Sequence, residues 1–287
     1  MNYHPTSQSN FPNLKNVSPD HTSHNSCIAP PRQVGYTDAV RISSVPYLNA
    51  RPLVAGLEGQ AGVELGYAVP AVLIAQVLAG EVDVAMASTF ATFAHPELHL
   101  LPGLGVTAAG PAWSVRLFSR VPPAEIRTLA LDACSRSTNA LARIVLADRY
   151  GVTPVCLEMP PDRDAMLATA DAAVLIGDIG LTVAGADYLD IDLGAEWWAL
   201  TGLPFYFAGW VARDAARLTE AAPRLHAACV DGLTRLPELA TSEALRLGIP
   251  YQRCYDYLAK VMRYQTGPAE AAGLAEFRAR AERLGLV

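Results

Sequence analysis

The chain has 287 residues, of which 51% are apolar and 17% charged, with a formal net charge of −6. That is long enough for one large domain or two modest ones, and too apolar for a disordered chain. The basic residues form no clustered stripe and no apolar run reaches the roughly 20 residues needed to span a bilayer, so neither nucleic acid nor a membrane is an expected partner.

Five scattered cysteines show no CxxC or CxxH pairing, which argues against a zinc site and a disulfide framework. The only lysines are Lys15 and Lys260, and no GxxxxGK[ST] surrounds either. A phosphate-binding P-loop and a pyridoxal Schiff base are thereby excluded, and no cofactor or metal is expected. The first forty residues lack a continuous apolar stretch, so the expected location is the cytoplasm.

Residues 1–37, rich in Ser, Asn, Pro and His, read as a disordered extension. Order begins with a strand over 39–43, then a turn at 46–50 and a helix-compatible stretch opening at Arg51-Pro52-Leu53. A strand follows at 63–67, then a helix over 71–78 that Pro70 opens and Gly80 ends. A buried strand over 82–87 delivers Ser88 at its end. Strand and helix alternating at this spacing predict a parallel sheet.

Residues 113–118 read as a further strand, and Val121-Pro122-Pro123 as the crossover out of the first lobe. A second unit starts with a strand at 128–131 and continues through a helix over 138–150 and a strand over 172–176. Residues 205–211 form a return strand. Helices over 215–236, 239–247, 251–264 and 268–284 complete the chain and are expected to pack on the first lobe. The expected division is an extension (1–37), a first lobe (38–120), a second lobe (121–205), and a return strand with helices completing the first (206–287). A lobe left once and re-entered once gives a two-lobed α/β fold, each lobe a mostly parallel sheet flanked by helices, with a ligand cleft between.

In such sheets ligands sit beyond the carboxyl ends of strands, where helix N-termini present amide donors. Asn49 lies at one such end and either caps the next helix or donates to a carboxylate or a leaving hydroxyl. Ser88-Thr89 lies at another and has the same two readings. Cys134-Ser135-Arg136-Ser137-Thr138-Asn139 opens a helix with more hydrogen-bonding side chains than a cap requires, which points to an anion held without a lysine. Asp178 follows a strand, as a helix cap or a residue that orients a donor. Trp197, Trp198 and Trp210 read as core or hinge packing before ligand stacking. His95, His99 and His226 show no metal spacing and no nucleophile partner.

Six segments taken together resemble one family: Arg41-Ile-Ser-Ser-Val-Pro-Tyr-Leu-Asn-Ala-Arg-Pro-Leu53, Gly80-Glu-Val-Asp-Val-Ala-Met-Ala-Ser88, Trp113-Ser-Val-Arg-Leu-Phe-Ser119, Leu131-Asp-Ala-Cys-Ser-Arg-Ser-Thr138, Leu175-Ile-Gly-Asp178, and Asp192-Leu-Gly-Ala-Glu-Trp197 with Thr201-Gly-Leu-Pro-Phe205. Their order and spacing are similar to the MqnA family, the chorismate dehydratases of menaquinone biosynthesis by the futalosine pathway, from about Val40 to the C-terminus. The resemblance implies a fold like type 2 periplasmic binding proteins and conversion of chorismate into 3-[(1-carboxyvinyl)oxy]benzoate and water by a lyase without a cofactor.

On the matched segments, Asn49 and Ser88 are the expected catalytic residues. Tyr47, Ser114, Ser135, Ser137, Thr138 and Asp178 are expected to bind substrate, with Asp178 as a backup base. None of the matched positions offers a histidine or lysine base, so the substrate's own enolpyruvyl carboxylate is one option for taking the proton. The expected partner is this small dicarboxylate, and the expected assembly a monomer or homodimer. Two rivals share the architecture: a small-carboxylate solute-binding protein and the sister futalosine-pathway enzyme.

Overall fold

The computed structural model describes residues 39–183 and 187–287. The expected N-terminal extension lies outside these. From the start of the described chain, β1 (Val40–Ser44) runs into a 3₁₀ turn at Leu48–Ala50 and the short helix α1 (Arg51–Val54). Pro52 sits in that helix's first turn. Strand β2 (Val63–Tyr67) and helix α2 (Pro70–Ala79) follow; Pro70 opens α2, and Gly80 ends it in the left-handed conformation. Then come β3 (Val84–Ser88), α3 (Ala91–Ala94), β4 (His99–Ala108) and β5 (Arg116–Ser119).

The second unit contains β6 (Thr128–Asp132), α4 (Arg136–Tyr150), β7 (Val155–Met159), α5 (Arg163–Thr169), β8 (Ala172–Leu175), α6 (Gly177–Thr182), β9 (Leu189–Asp192) and α7 (Leu193–Thr201). The chain returns through β10 (Phe205–Ala212) into α8 (Ala215–Thr234), α9 (Leu236–Leu247) and α10 (Tyr251–Asp256). A π-helical stretch (Tyr257–Val261), β11 (Arg263–Gln265) and α11 (Pro268–Arg283) close it.

Two sheets result, ordered β11-β4-β10-β3-β1-β2 and β7-β6-β8-β5-β9. The parallel arrangement expected from the sequence holds for β2-β1-β3 and β7-β6-β8. The other ladders, those of β10, β4 and β11 and of β5 with β8 and β9, are antiparallel, so each sheet is mixed. Every residue of β3 is buried, as for a central strand covered on both faces.

Two expectations are corrected. The strand at Arg116–Ser119 pairs with β8 and β9 in the second sheet, so the chain crosses over before it, between β4 and β5. Asp192 pins this crossing: its carboxylate accepts the backbone N–H groups of Ala112 (3.0 Å) and Trp113 (2.7 Å), and also caps α7 at Ala195 (3.0 Å). Trp113 adopts φ 59°, an uncommon conformation for a bulky residue. Second, the helix expected over 251–264 breaks after the π-helical stretch: Met262 is extended and the next residues pair with β4.

The core takes in both sheets. Phe277 of α11 lies 4.7 Å from Phe205 and 6.2 Å from Trp197 between ring centroids, and contacts Phe90 and Phe93. Arg280 and Arg283 of the same helix pair with Asp148 of α4 at 2.5 Å. Helix α11 therefore touches elements of both sheets, not the first alone. Trp197 and Trp210 are wholly buried, while Trp198 is exposed.

Candidate active site

A cleft opens between the sheets, lined by residues of both. From the first sheet come Tyr47 and Asn49 on the turn after β1, Pro70 at the start of α2, Met86 and Ser88 of β3, and Phe207 and Ala208 of β10. From the second come Val115, the run from Cys134 to Thr138 at the start of α4, and Ile176-Gly177 after β8. Of the eight residues expected from the sequence, Tyr47, Asn49, Ser88, Ser135, Ser137 and Thr138 line this one space.

The α4 start is an organised donor array. Ser135 caps the helix by accepting the Thr138 N–H. First-turn N–H groups have no intrahelical partner, and the helix dipole favours negative charge there. Asp132 holds the preceding turn: its carboxylate accepts the Cys134 N–H at 2.8 Å and its carbonyl accepts the Asn139 amide at 2.9 Å. The Ser137 hydroxyl donates to the Phe207 carbonyl of the opposite sheet at 3.4 Å.

Arg136 is exposed, lines the cleft, and has no hydrogen-bond or ion-pair partner among the described residues. In the sequence it stands within the Cys134–Asn139 run that points to an anion, without a role of its own. Across the cleft the Ser88 hydroxyl is buried and without a hydrogen-bond partner. A buried unpaired hydroxyl costs about 1–3 kcal/mol, which a ligand atom can recover.

Two titratable groups that line the cleft, Tyr47 and Cys134, are shifted towards their neutral forms. Burial, with Cys134, Asp132 and Asp178 nearby, pushes the Tyr47 phenol up to about 12, so Tyr47 is a donor at neutral pH. Burial and the neighbouring Asp132 carboxylate raise the Cys134 thiol, which disfavours the reactive thiolate. Beneath the turn, burial raises Asp132 itself, opposed by the Cys134 N–H.

Two expected substrate-binding residues sit elsewhere. Ser114 is 1% exposed and shares a 2.8 Å hydrogen bond with the Tyr257 phenol, behind the wall. That phenol, raised chiefly by burial, also interacts with the Asn49 side chain. Tyr257 had no sequence signal, since it reads as one more apolar helix position; here it opens the π-helical stretch, a feature frequent at functional sites. Asp178 lines an adjoining pocket that shares Tyr47, Cys134 and Ile176 with the cleft; one of its oxygens accepts the Leu48 N–H and the other binds Arg246. Among the described residues no group of three or more His, Cys, Asp or Glu could hold a metal, and no helix is long and apolar enough to cross a membrane.

Two mixed sheets, a chain that crosses between them and returns, and a polar cleft at the junction define a fold of the periplasmic-binding-protein type. Solved structures agree on the fold. An Archaeoglobus fulgidus protein matches at a TM-score of 0.72 with 17% identity, over 88% of this chain and 100% of that one. The alkanesulfonate-binding protein SsuA from Xanthomonas axonopodis pv. citri, solved bound to MOPS, matches at 0.63 with 16% identity, over 87% and 93%. The family profile described as menaquinone biosynthesis matches residues 40–283. A chorismate dehydratase from Thermus thermophilus is 31% identical over 257 residues, 84% of this chain and 93% of its own. The chain belongs to the menaquinone biosynthesis family.

Proposed function

We infer that this protein is a chorismate dehydratase, a carbon–oxygen lyase that converts chorismate into 3-[(1-carboxyvinyl)oxy]benzoate and water. The observation that carries the reading is the facing of two donor sets across one cleft: the α4 start on one side, Asn49 and Ser88 on the other. A ligand with two carboxylates and a hydroxyl to expel fits that pattern. Similarity to the Thermus thermophilus dehydratase, whose length this chain nearly spans, supports the same substrate.

Chorismate loses the ring proton beside its enol ether and the neighbouring hydroxyl. The C–H electron pair becomes a ring double bond as the C–O bond breaks, and aromatisation supplies the drive. Among the described residues, no histidine, lysine or carboxylate lines this cleft to take the proton. The substrate's own enolpyruvyl carboxylate, folded over the ring, takes it, and proton and hydroxide leave as water. The Ser135–Thr138 helix start grips the ring carboxylate, and Tyr47, held neutral, donates to it or to the arm. Asn49 and Ser88 position the enolpyruvyl arm and stabilise the departing hydroxyl. Orientation and preorganised dipoles of this kind supply several kcal/mol of barrier lowering.

Asn49→Ala and Ser88→Ala should each lower kcat at least about tenfold with the fold intact, since one lost transition-state donor costs a few kcal/mol. Steady-state turnover of chorismate together with circular dichroism checks this. Wild-type rates from both variants would overturn the assignment.

A further inference from the structure

Helix α6 follows a strand of the second sheet, and the Tyr47–Asn49 turn follows a strand of the first. One carboxylate joins them. Asp178 Oδ1 accepts the Leu48 N–H at 2.9 Å, and Oδ2 accepts Arg246 of α9 at 2.7 Å. Arg246 is held in turn by Glu243 at 2.6 Å, and the other oxygen of Glu243 pairs with Arg51, the first residue of α1, at 3.1 Å. The Glu243 side chain is 7% exposed and that of Asp178 16%, while Arg246 between them is 46% exposed.

Leu48 opens the 3₁₀ turn, where an N–H group has no partner within the turn itself. Tyr47 supplies no side-chain cap, so the bond that fixes this turn comes from across the cleft. The Leu48 side chain is wholly buried, and its neighbours on either side, Tyr47 and Asn49, line the cleft. Whatever holds the Leu48 backbone sets where those two point.

We propose that Asp178 is a positioning residue that clamps the Tyr47–Asn49 turn against α6, with Arg246 and Glu243 holding its carboxylate in place. Each oxygen of Asp178 takes part in this clamp, one on the Leu48 N–H and one on Arg246. The turnover readout rests on the dehydratase reading; a backbone readout does not.

The test is hydrogen–deuterium exchange at the Leu48 amide, run beside chorismate turnover, on wild type, Asp178→Ala, Asp178→Asn and Arg246→Ala. In Asp178→Ala the Leu48 amide should exchange at least about tenfold faster and kcat should fall at least about tenfold. Asp178→Asn keeps an acceptor for Leu48, so it should protect the amide better and retain more activity than the alanine variant. Arg246→Ala should loosen the same amide while deleting no side chain that lines the cleft. Combining it with Asp178→Ala should give less than the product of the single losses, because the two residues act through one bond.

Unchanged Leu48 exchange in the Asp178 variants would overturn the clamp, whatever the activity. Equal, complete loss of turnover in Asp178→Asn and Asp178→Ala with Leu48 still protected would instead return Asp178 to a role as base. Should Asp178→Ala not fold, the asparagine and Arg246 variants carry the same comparison. Failure of wild type to act on chorismate would remove the dehydratase reading and leave the exchange result standing.

Discussion

Tyr47 and Gly177 meet face to face at the cleft, and the contact depends on the absence of a side chain. Gly177 has φ 59°, the left-handed region, and a Cβ built there would stand 3.3 Å from the Tyr47 ring. Gly177→Ala therefore faces strain and crowding together. It should lower stability by about 1–3 kcal/mol and displace the Tyr47 ring. Thermal melting with chorismate turnover reads both; a variant with unchanged melting temperature and unchanged KM would contradict this account of the wall. Ser88 and Ser135 differ instructively at the same scale. Both are buried serines beside the cleft, yet Ser135 spends its oxygen on the Thr138 N–H while the hydroxyl of Ser88 stays unpartnered. From sequence each had the same two readings, cap or ligand, and only the fold separates them.

The ladder of β1 with β3 in the first sheet also carries a charged fastening. Asp83 precedes β3 and accepts the backbone N–H of Arg41 in β1 at 2.9 Å and its guanidinium at 2.9 Å. Burial pushes the Asp83 carboxyl up, but these bonds from Arg41 outweigh it and hold the group below its ordinary 3.8. A carboxyl titrating lower in the folded than in the unfolded chain stabilises fully above its unfolded pKa. That stabilisation is lost as pH falls through the lower folded value. Asp83→Asn should cost about 1–3 kcal/mol at neutral pH, measured by urea unfolding. The gap between wild type and variant should close below pH 3.8, whereas a gap independent of pH would contradict the assignment.

Elements with regular patterns were legible in advance. Strand β2 falls at residues 63–67 as read, and α2, α4 and α8 lie within a few residues of their expected bounds. Strand β4 was missed because Pro102, Gly103 and Gly105 argue against a strand on propensity. The structure gives the reason for one of them: a Cβ at Gly105 would sit 2.3 Å from the Tyr206 ring. Close packing across the sheet, invisible in one strand's own sequence, demanded the glycine. The helix start from Cys134 to Thr138 was legible because its polar side chains are consecutive; Tyr257 and Phe207 were not, because tertiary folding alone brings Phe207 to the cleft and Tyr257 behind its wall.

For the molecule as a whole, the cleft lies where the chain crosses between sheets, and the lobes are tied on more than one side. Phe277 sits among aromatic rings carried by α3, α7 and β10, and Asp148 binds two arginines of α11. At the other side Asp178 joins α6 to the Tyr47–Asn49 turn. Such ties favour an enzyme whose catalysis comes from fixed geometry and dipoles, with the acid–base work left to the substrate. The most direct measurement incubates the purified protein with chorismate and follows the reaction by absorbance and mass spectrometry. The account predicts a new benzoate chromophore and a product lighter than chorismate by one water; well-folded protein that leaves chorismate unchanged would contradict it.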